Sequence, residues 1–362
     1  KVGELEATQF STTTKLKGIT TFVLGSNSFY GRSPNVATDT ANYGATTFNY
    51  DVRLNFDTSF TGKDLLRTTL RAANAQGANG SLYGPGNGLA AMEAFFEAPA
   101  GENSVWINRL FYNFPMGDEL SLTAGSMVRV DDAGMLGMWP SVYPSDTVLD
   151  FFTYAGSPGT YNLNGLGAGA GFVSSPKQIK GLTISQNYVS ANGQAYSTAA
   201  GVTGNAGSGN PGEGGVFTSG AGSAATTQIG FAGDKTPLIG GSFGMAFAYT
   251  YSQNLPLPSG TPTALALSNN NGSTSSYSSA NNLALSGYWK PEKAGLIPSI
   301  SWGIGSGAYK TGVNAYQPAT PSPSFVASSW YTGLQWDDAF IKGNALGMGV
   351  GQAPFVSKYA NN

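Results

Sequence analysis

The chain has 362 residues, with 51 glycines and 19 prolines; 10% of it is charged, 12% is aromatic, and 18 basic residues nearly balance 20 acidic ones. It holds no cysteine and no histidine, which excludes a thiol nucleophile, a disulfide framework, a thiolate or imidazole metal site and a histidine-based triad. A sequence pI near 5.2 and the lack of basic clusters argue against nucleic acid as a partner.

Apolar residues make up 41% of the chain, too many for disorder. The mean hydropathy is −0.12 and no run of about 18 mainly apolar residues occurs, so membrane-spanning helices are not expected. The opening residues lack the order of a signal peptide and read as the interior of a mature chain. The remaining class is a β-rich protein with thinly spread apolar residues.

In chain order, period-two alternation predicts strands at about 17–25, 48–60, 65–74, 104–114, 119–130, 166–174, 179–189, 226–233, 241–251, 282–290, 296–308, 328–337 and 343–352. The second is the clearest. Tyr50, Val52, Leu54, Phe56 and Phe60 share one parity, while Asn49, Asp51, Arg53, Asn55, Asp57 and Ser59 share the other. Twelve alternating residues exceed an ordinary strand and suit a membrane-spanning one of about 9–11 residues. In the strand at 104–114, Ile107 and Phe111 break the parity.

The gaps between predicted strands alternate long and short. Thr61-Gly62-Lys63-Asp64 and Pro115-Met116-Gly117-Asp118 are short, whereas 75–103, 131–165 and 190–225 are long. Short turns at one end and long loops at the other characterise outer-membrane barrels. The expected fold is therefore all-β, a transmembrane antiparallel β-barrel of the general-porin type. Thirteen visible strands are odd in number, so about 16 are expected, with the last few outside this chain. Leu89 to Glu97 reads as a short helix, 200–225 as a low-complexity loop, and Gly165 to Gly171 as a glycine-rich strand start rather than a phosphate loop.

Five arginines, Arg53, Arg67, Arg71, Arg109 and Arg129, fall on the polar parity of predicted strands. On a lipid face near the midplane an arginine costs about 2–4 kcal/mol, so inward placement is expected. Two readings stay open: a basic wall that focuses potential on permeating anions, or internal salt bridging, because Asp51 and Asp57 share the same face. Asp131, Asp132, Asp146 and Asp150 bracket the third long loop. Folded into the lumen, they would face the arginines across a narrow constriction. No calcium-loop motif, catalytic set or cofactor fingerprint accompanies them, so no enzyme activity, cofactor or metal is expected. Trp106, Tyr112, Phe114, Trp289, Trp302, Trp330, Trp336, Tyr249 and Tyr251 suit interfacial girdles. Trp139, Tyr143, Phe151, Phe152 and Tyr154 read as anchors of the third loop.

Three stretches resemble the cyanobacterial outer-membrane porins, relatives of the OprB-type carbohydrate-selective porins. They are L-E-A-T-Q-F-S-T-T-T-K-L-K-G from Leu5 to Gly18, N-R-L-F-Y-N-F from Asn108 to Phe114, and M-L-G-M-W-P-S-V-Y-P from Met135 to Pro144. The resemblance implies an S-layer homology domain before the barrel, attachment to cell-wall polymer through that domain, and a homotrimer in the outer-membrane lipid. It also implies passive passage of inorganic ions and small solutes. The expected layout is a periplasmic linker end at 1–16 and a pore domain at 17–362, with 131–165 as a lumen-folded constriction. Membrane-to-wall tethering and a carbohydrate-selective channel are the alternatives.

Overall fold

Long alternating segments can satisfy their backbone only by pairing with neighbours, and here every strand pairs with the next one in sequence. The computed structural model describes residues 14–31, 35–74, 92–95, 103–143, 149–162, 166–195, 214–218, 221–236, 240–255, 257–269, 279–293, 295–310 and 324–359. Thirteen strands form a single sheet in sequence order, all neighbours antiparallel. They are β1 (Lys15–Gly25), β2 (Thr47–Thr58), β3 (Leu65–Ala73), β4 (Trp106–Met116), β5 (Leu120–Val128), β6 (Gly167–Ser174) and β7 (Leu182–Ser190). The sheet continues with β8 (Ser223–Gly233), β9 (Ser242–Gln253), β10 (Ser279–Lys290), β11 (Ser299–Lys310), β12 (Phe325–Asp337) and β13 (Ala345–Tyr359). Among the described residues, β1 and β13 are each paired on one side only.

Two helices join them, α1 (Val36–Tyr43) and α2 (Pro262–Asn269). Neither has a marked periodicity in the sequence. Ala264 of α2 is buried with Leu257, Ala280, Tyr309, Phe325 and Ala327 at the long-loop end of the sheet. Among the described residues, no helix is long and apolar enough to cross a membrane. Of the helix expected at Leu89 to Glu97, the described part is Met92 and a 3-10 turn at Glu93–Phe95; the remainder and most of 200–225 lie outside the described residues.

The connections sort by end. Those at 59–64, 117–119, 175–181, 234–241, 291–298 and 338–344 are short, while 26–46, 74–105, 129–166, 191–222, 254–278 and 311–324 are long. The strand limits differ from the alternation in places with a physical cause. β5 stops at Val128, so Arg129 lies just beyond the strand. In β4 the register jumps so that Thr69 faces Arg109 and Leu70 faces Ile107, leaving Asn108 as an extra residue. This bulge returns Ile107 to the apolar, exposed face. Phe111 turns to the other face, where it is buried against Val128, Met135 and Val189.

The sheet is inside out relative to a water-soluble one. On β9, Met245, Phe247, Tyr249 and Tyr251 are exposed, Phe247 by 50%, whereas Ala246, Ala248, Thr250 and Ser252 are buried. The same inversion holds where Ile229, Leu283, Ile304, Trp330 and Val350 are exposed beside buried Gln228, Asn282, Ser301 and Ser329. The small residues are covered by the described parts of the segment after β5, 130–143 and 149–162, which lie across that face. Its Leu136, Trp139, Ala155 and Tyr161 pack on Ala248 and Ala284, and its Tyr143, Phe151 and Phe152 pack on Tyr331 and Ala353.

Candidate functional site

The charged side chains collect on one half of this covered face, and period two explains why. On β2 the odd positions Asp51, Arg53, Asn55 and Asp57 point the same way, as do Arg67, Thr69 and Arg71 on β3. The register sets Asp57 opposite Arg67, Asn55 opposite Thr69 and Arg53 opposite Arg71. Arg67 grips Asp57 with both of its ends, Nε to Oδ1 at 2.8 Å and Nη2 to Oδ2 at 3.0 Å. Lys17 of β1 reaches the same carboxylate at 3.3 Å.

Higher on the sheet, Arg71 and Asp51 form a fully buried bidentate pair, with Nε to Oδ1 at 3.1 Å and Nη2 on Oδ2. Arg53 Nη2 lies 3.6 Å from the same Asp51. Both arginines also hold the 3-10 turn at Glu93–Phe95. Arg71 donates to the Ala94 carbonyl at 2.8 Å, and Arg53 donates to the Glu93 carbonyl at 3.2 Å and lies 3.9 Å from its carboxylate. Phe95 is buried there against Ala73. One residue further, Met92 bridges to Leu149 of the 130–162 segment, so the two long connections touch.

The third group lies where 130–162 leaves β5. Arg109 Nε sits 2.8 Å from Asp132, and its Nη1 donates to the Asn108 carbonyl at 2.9 Å and side chain at 3.0 Å. Asp132 also accepts the Arg129 backbone N–H at 2.7 Å, and Arg129 grips Asp131 at 2.6 and 2.7 Å. Burial is the largest influence on the Asp132 carboxyl and raises it; Arg109 and Arg129 oppose the rise and Asp131 adds to it.

The five arginines thus come together with Asp51, Asp57, Asp131 and Asp132, and each is ion-paired. Internal pairing, rather than a row of open guanidinium groups, is the arrangement on this face. Asp146 lies outside the described residues; the backbone of Asp150 begins a 3-10 turn, Asp150–Tyr154, and its side chain lies outside them too. Glu93, Lys17 and Asn108 were not singled out in the sequence. Glu93 belongs to a long connection, where alternation says nothing about where a side chain lands.

The other half of the face is built from uncharged groups that hold 130–162 by hydrogen bonds. Asn187 donates to the Met135 carbonyl at 2.9 Å, Gln228 to Met138 at 2.7 Å, Thr250 to Thr160 at 2.7 Å, Ser286 to Ala155 at 2.7 Å and Ser329 to Gly156 at 2.7 Å. The backbone N–H groups of Val142 and Tyr143 both donate to Ser301, at 3.0 Å. These donors share the inward parity of their strands, a signal that the sequence does carry. Approach is close enough that a Cβ on Gly303 would collide with the Ala155 carbonyl. The aromatics of the segment are anchors: Trp139 meets Tyr161 at 5.1 Å, and Tyr143 meets Phe152 at 6.0 Å and Tyr331 at 6.4 Å. Burial pushes the Tyr143 and Tyr161 phenols up, so both are neutral, and Tyr161 donates to the Gln228 side chain at 2.9 Å.

No protein-family model matches the chain. It is 40% identical over 123 residues to an uncharacterized protein of Nostoc sp., a match covering 32% of this chain and 20% of that protein. It is 35% identical over 133 residues to an uncharacterized protein of Synechocystis sp., covering 34% of this chain and 20% of that one. The chain thus spans about a fifth of the length of the curated relatives it matches. Among solved structures, OprB of Pseudomonas putida at high pH aligns with a TM-score of 0.51 and 10% identity, over 96% of this chain and 76% of that one. That likeness identifies the fold as an antiparallel sheet of the outer-membrane porin type.

Proposed function

We propose that the chain is the wall of an outer-membrane porin through which inorganic ions and small hydrophilic solutes diffuse passively, without catalysis, cofactor or metal. The observation that carries this reading is the inverted sheet. A face of Phe247, Leu283, Ile304 and Val350 suits hydrocarbon, and the opposite face holds charged pairs and polar groups that suit an aqueous path. On this reading the sheet closes into a barrel of about 16 strands, wide enough for a channel. The stretch 131–165 lies in the lumen as the constriction, bordered by Asp51, Arg53, Asp57, Arg67, Arg71, Arg109, Arg129, Asp131 and Asp132. Residues 1–16 end a periplasmic linker, the molecule is a homotrimer, and a further domain holds cell-wall polymer, as the resemblance to cyanobacterial porins implies.

The reading is tested by conductance and reversal potential of the full-length protein in a planar bilayer under a salt gradient. Stepwise conductance with weak charge selectivity is expected, because Lys17 and the five arginines face Asp51, Asp57, Glu93, Asp131 and Asp132 and almost cancel. The span of 130–162, from β5 to the buried Ala353 of β13, favours a second reading, a plugged structural barrel that tethers membrane to wall. Inserted protein without conductance would establish that one and overturn the channel.

A further inference from the structure

Eleven of the twelve lysines lie among the described residues, and these are sorted by end of the sheet. Lys15 and Lys17 open β1 beside the end of β2. Lys63, Lys177, Lys180, Lys235, Lys293 and Lys342 lie in short connections, and Lys290 ends β10. Among the described residues only Lys310 and Lys358 lie at the long-loop end. Acids share the short-turn end, and some lysines meet them: Lys177 to Asp118 at 2.6 Å, Lys180 to Asp234 at 3.5 Å, Lys290 to Asp337 at 2.8 Å. Lys63, Lys235, Lys293 and Lys342 are exposed.

Beside these lysines stand exposed apolar residues. Phe60 accompanies Lys63, Ile179 lies between Lys177 and Lys180, Leu296 and Ile297 follow Lys293, and Phe340 and Ile341 precede Lys342. Leu296 and Phe340 are 96% and 95% exposed. A turn that only meets water has no use for such residues. The 338–344 turn even holds Phe340 at φ 62°, a left-handed conformation that strains an aromatic residue. Strain that displays a large apolar side chain at the edge of an apolar belt points to something apolar beyond it.

We propose that the short-turn rim is an interfacial anchor for anionic phospholipid, its lysines on the headgroup phosphates and its apolar turn residues inserted among the upper acyl chains. The proposal rests on the membrane-spanning reading above. It makes the two ends unequal: the short-turn end holds anionic headgroups, and the long-loop end has almost no lysine with which to do so. An acidic wall polymer would meet the lysines but leave Leu296 and Phe340 in water, so lipid is the better fit.

The test is thermal unfolding of the full-length protein in nanodiscs of phosphatidylglycerol or phosphatidylcholine. The protein is expected to melt at least about 5 °C higher in phosphatidylglycerol, and high salt should shrink that difference. K63Q/K235Q/K293Q/K342Q should erase the difference and leave melting in phosphatidylcholine unchanged. F340G should relieve strain and raise melting in detergent, yet gain less from phosphatidylglycerol. Equal melting of the unmodified protein in both lipids overturns the anchor, even with the barrel inserted. Stabilisation by inorganic phosphate in detergent to the same extent replaces it with a free-anion site. Lysine-dependent binding of an acidic polysaccharide, with no lipid preference, replaces it with a wall contact. A protein that never enters nanodiscs overturns the membrane-spanning reading as well.

Discussion

Arg53 and Arg71 stand directly opposite each other on β2 and β3, and both guanidinium groups engage one carboxylate, that of Asp51. Like charges directly opposed across two strands repel. Here the pair is held because the carboxylates of Asp51 and Glu93 together balance the two charges and the carbonyls of Glu93 and Ala94 take further donors.

Asp51→Asn removes the shared carboxylate and leaves a buried guanidinium group uncompensated, a change that costs about 3–5 kcal/mol. Asp51→Leu with Arg71→Met removes both buried charges and is expected to cost less than Asp51→Asn alone. Heat-induced unfolding of the detergent-solubilised protein measures both. A double variant less stable than the single one would show that the pair itself contributes net stability.

Arg109 and Asp132 tie β4 to the start of the 130–162 segment. Asp132→Ala is expected to loosen that start and to give larger, noisier single-channel conductance. An unchanged, quiet conductance would place the segment away from the permeation path.

Gly303 faces the Ala155 carbonyl with no room for a side chain. Gly303→Leu forces the segment off β11, with an overpacking cost of about 1–3 kcal/mol. Limited proteolysis should then cut within the segment about 5- to 150-fold faster, by the population arithmetic of such a cost. Unaltered cleavage would mean the segment is not held by β11.

Asp64 closes the β2–β3 turn by accepting the N–H groups of Phe60 and Thr61 at 3.0 and 2.7 Å and the hydroxyls of Ser59, Thr61 and Tyr112 at 2.7–2.8 Å. Burial alone would raise its carboxyl, but the hydrogen bonds from Tyr112, Thr61 and Ser59 outweigh it and hold the group far below its ordinary value of 3.8. A depressed acid stabilises the fold above its unfolded value and loses that contribution as pH falls below it. Asp64→Asn is therefore expected to melt below the unmodified protein at pH 7 and to differ less at about pH 3. A gap that does not shrink on acidification would remove ionised Asp64 from the account.

Phe247 lies on the exposed face of β9, and Thr250 on the buried face. Phe247→Arg is expected to cost about 2–4 kcal/mol in a bilayer if that face meets lipid, while remaining nearly neutral in a water-exposed sheet. Refolding titrations into phospholipid vesicles separate the two, and a neutral result there would count against the membrane-facing belt.

Much of this architecture was legible in the residues. Asn49 to Phe60 shows the parity that puts Asp51, Arg53 and Asp57 on one face, and the alternating lengths of the connections show which ends belong together. The breaks at Ile107 and Phe111 look like noise in a strict alternation. The bulge at Asn108, which depends on how β3 and β4 align, resolves Ile107, and Phe111 is explained by its cover of Val128, Met135 and Val189 on the buried face. Glu93 was unreadable as a partner of Arg53 because it sits in a connection whose path is set by contacts far away in sequence.

The residues alone mark thirteen strands in this chain, the parity of their faces and the restriction of arginine to the part before residue 130. Side-chain direction in a strand alternates by local covalent geometry, and an apolar or charged residue on either parity declares its face. The tertiary structure alone decided that Arg109 meets Asp132, that Arg71 holds the Ala94 carbonyl, and that 130–162 lies across β7 to β13 on a row of Asn187, Gln228, Thr250, Ser286 and Ser329. Those contacts join residues up to 173 positions apart, and only strand register and the path of a long connection bring them within bonding distance.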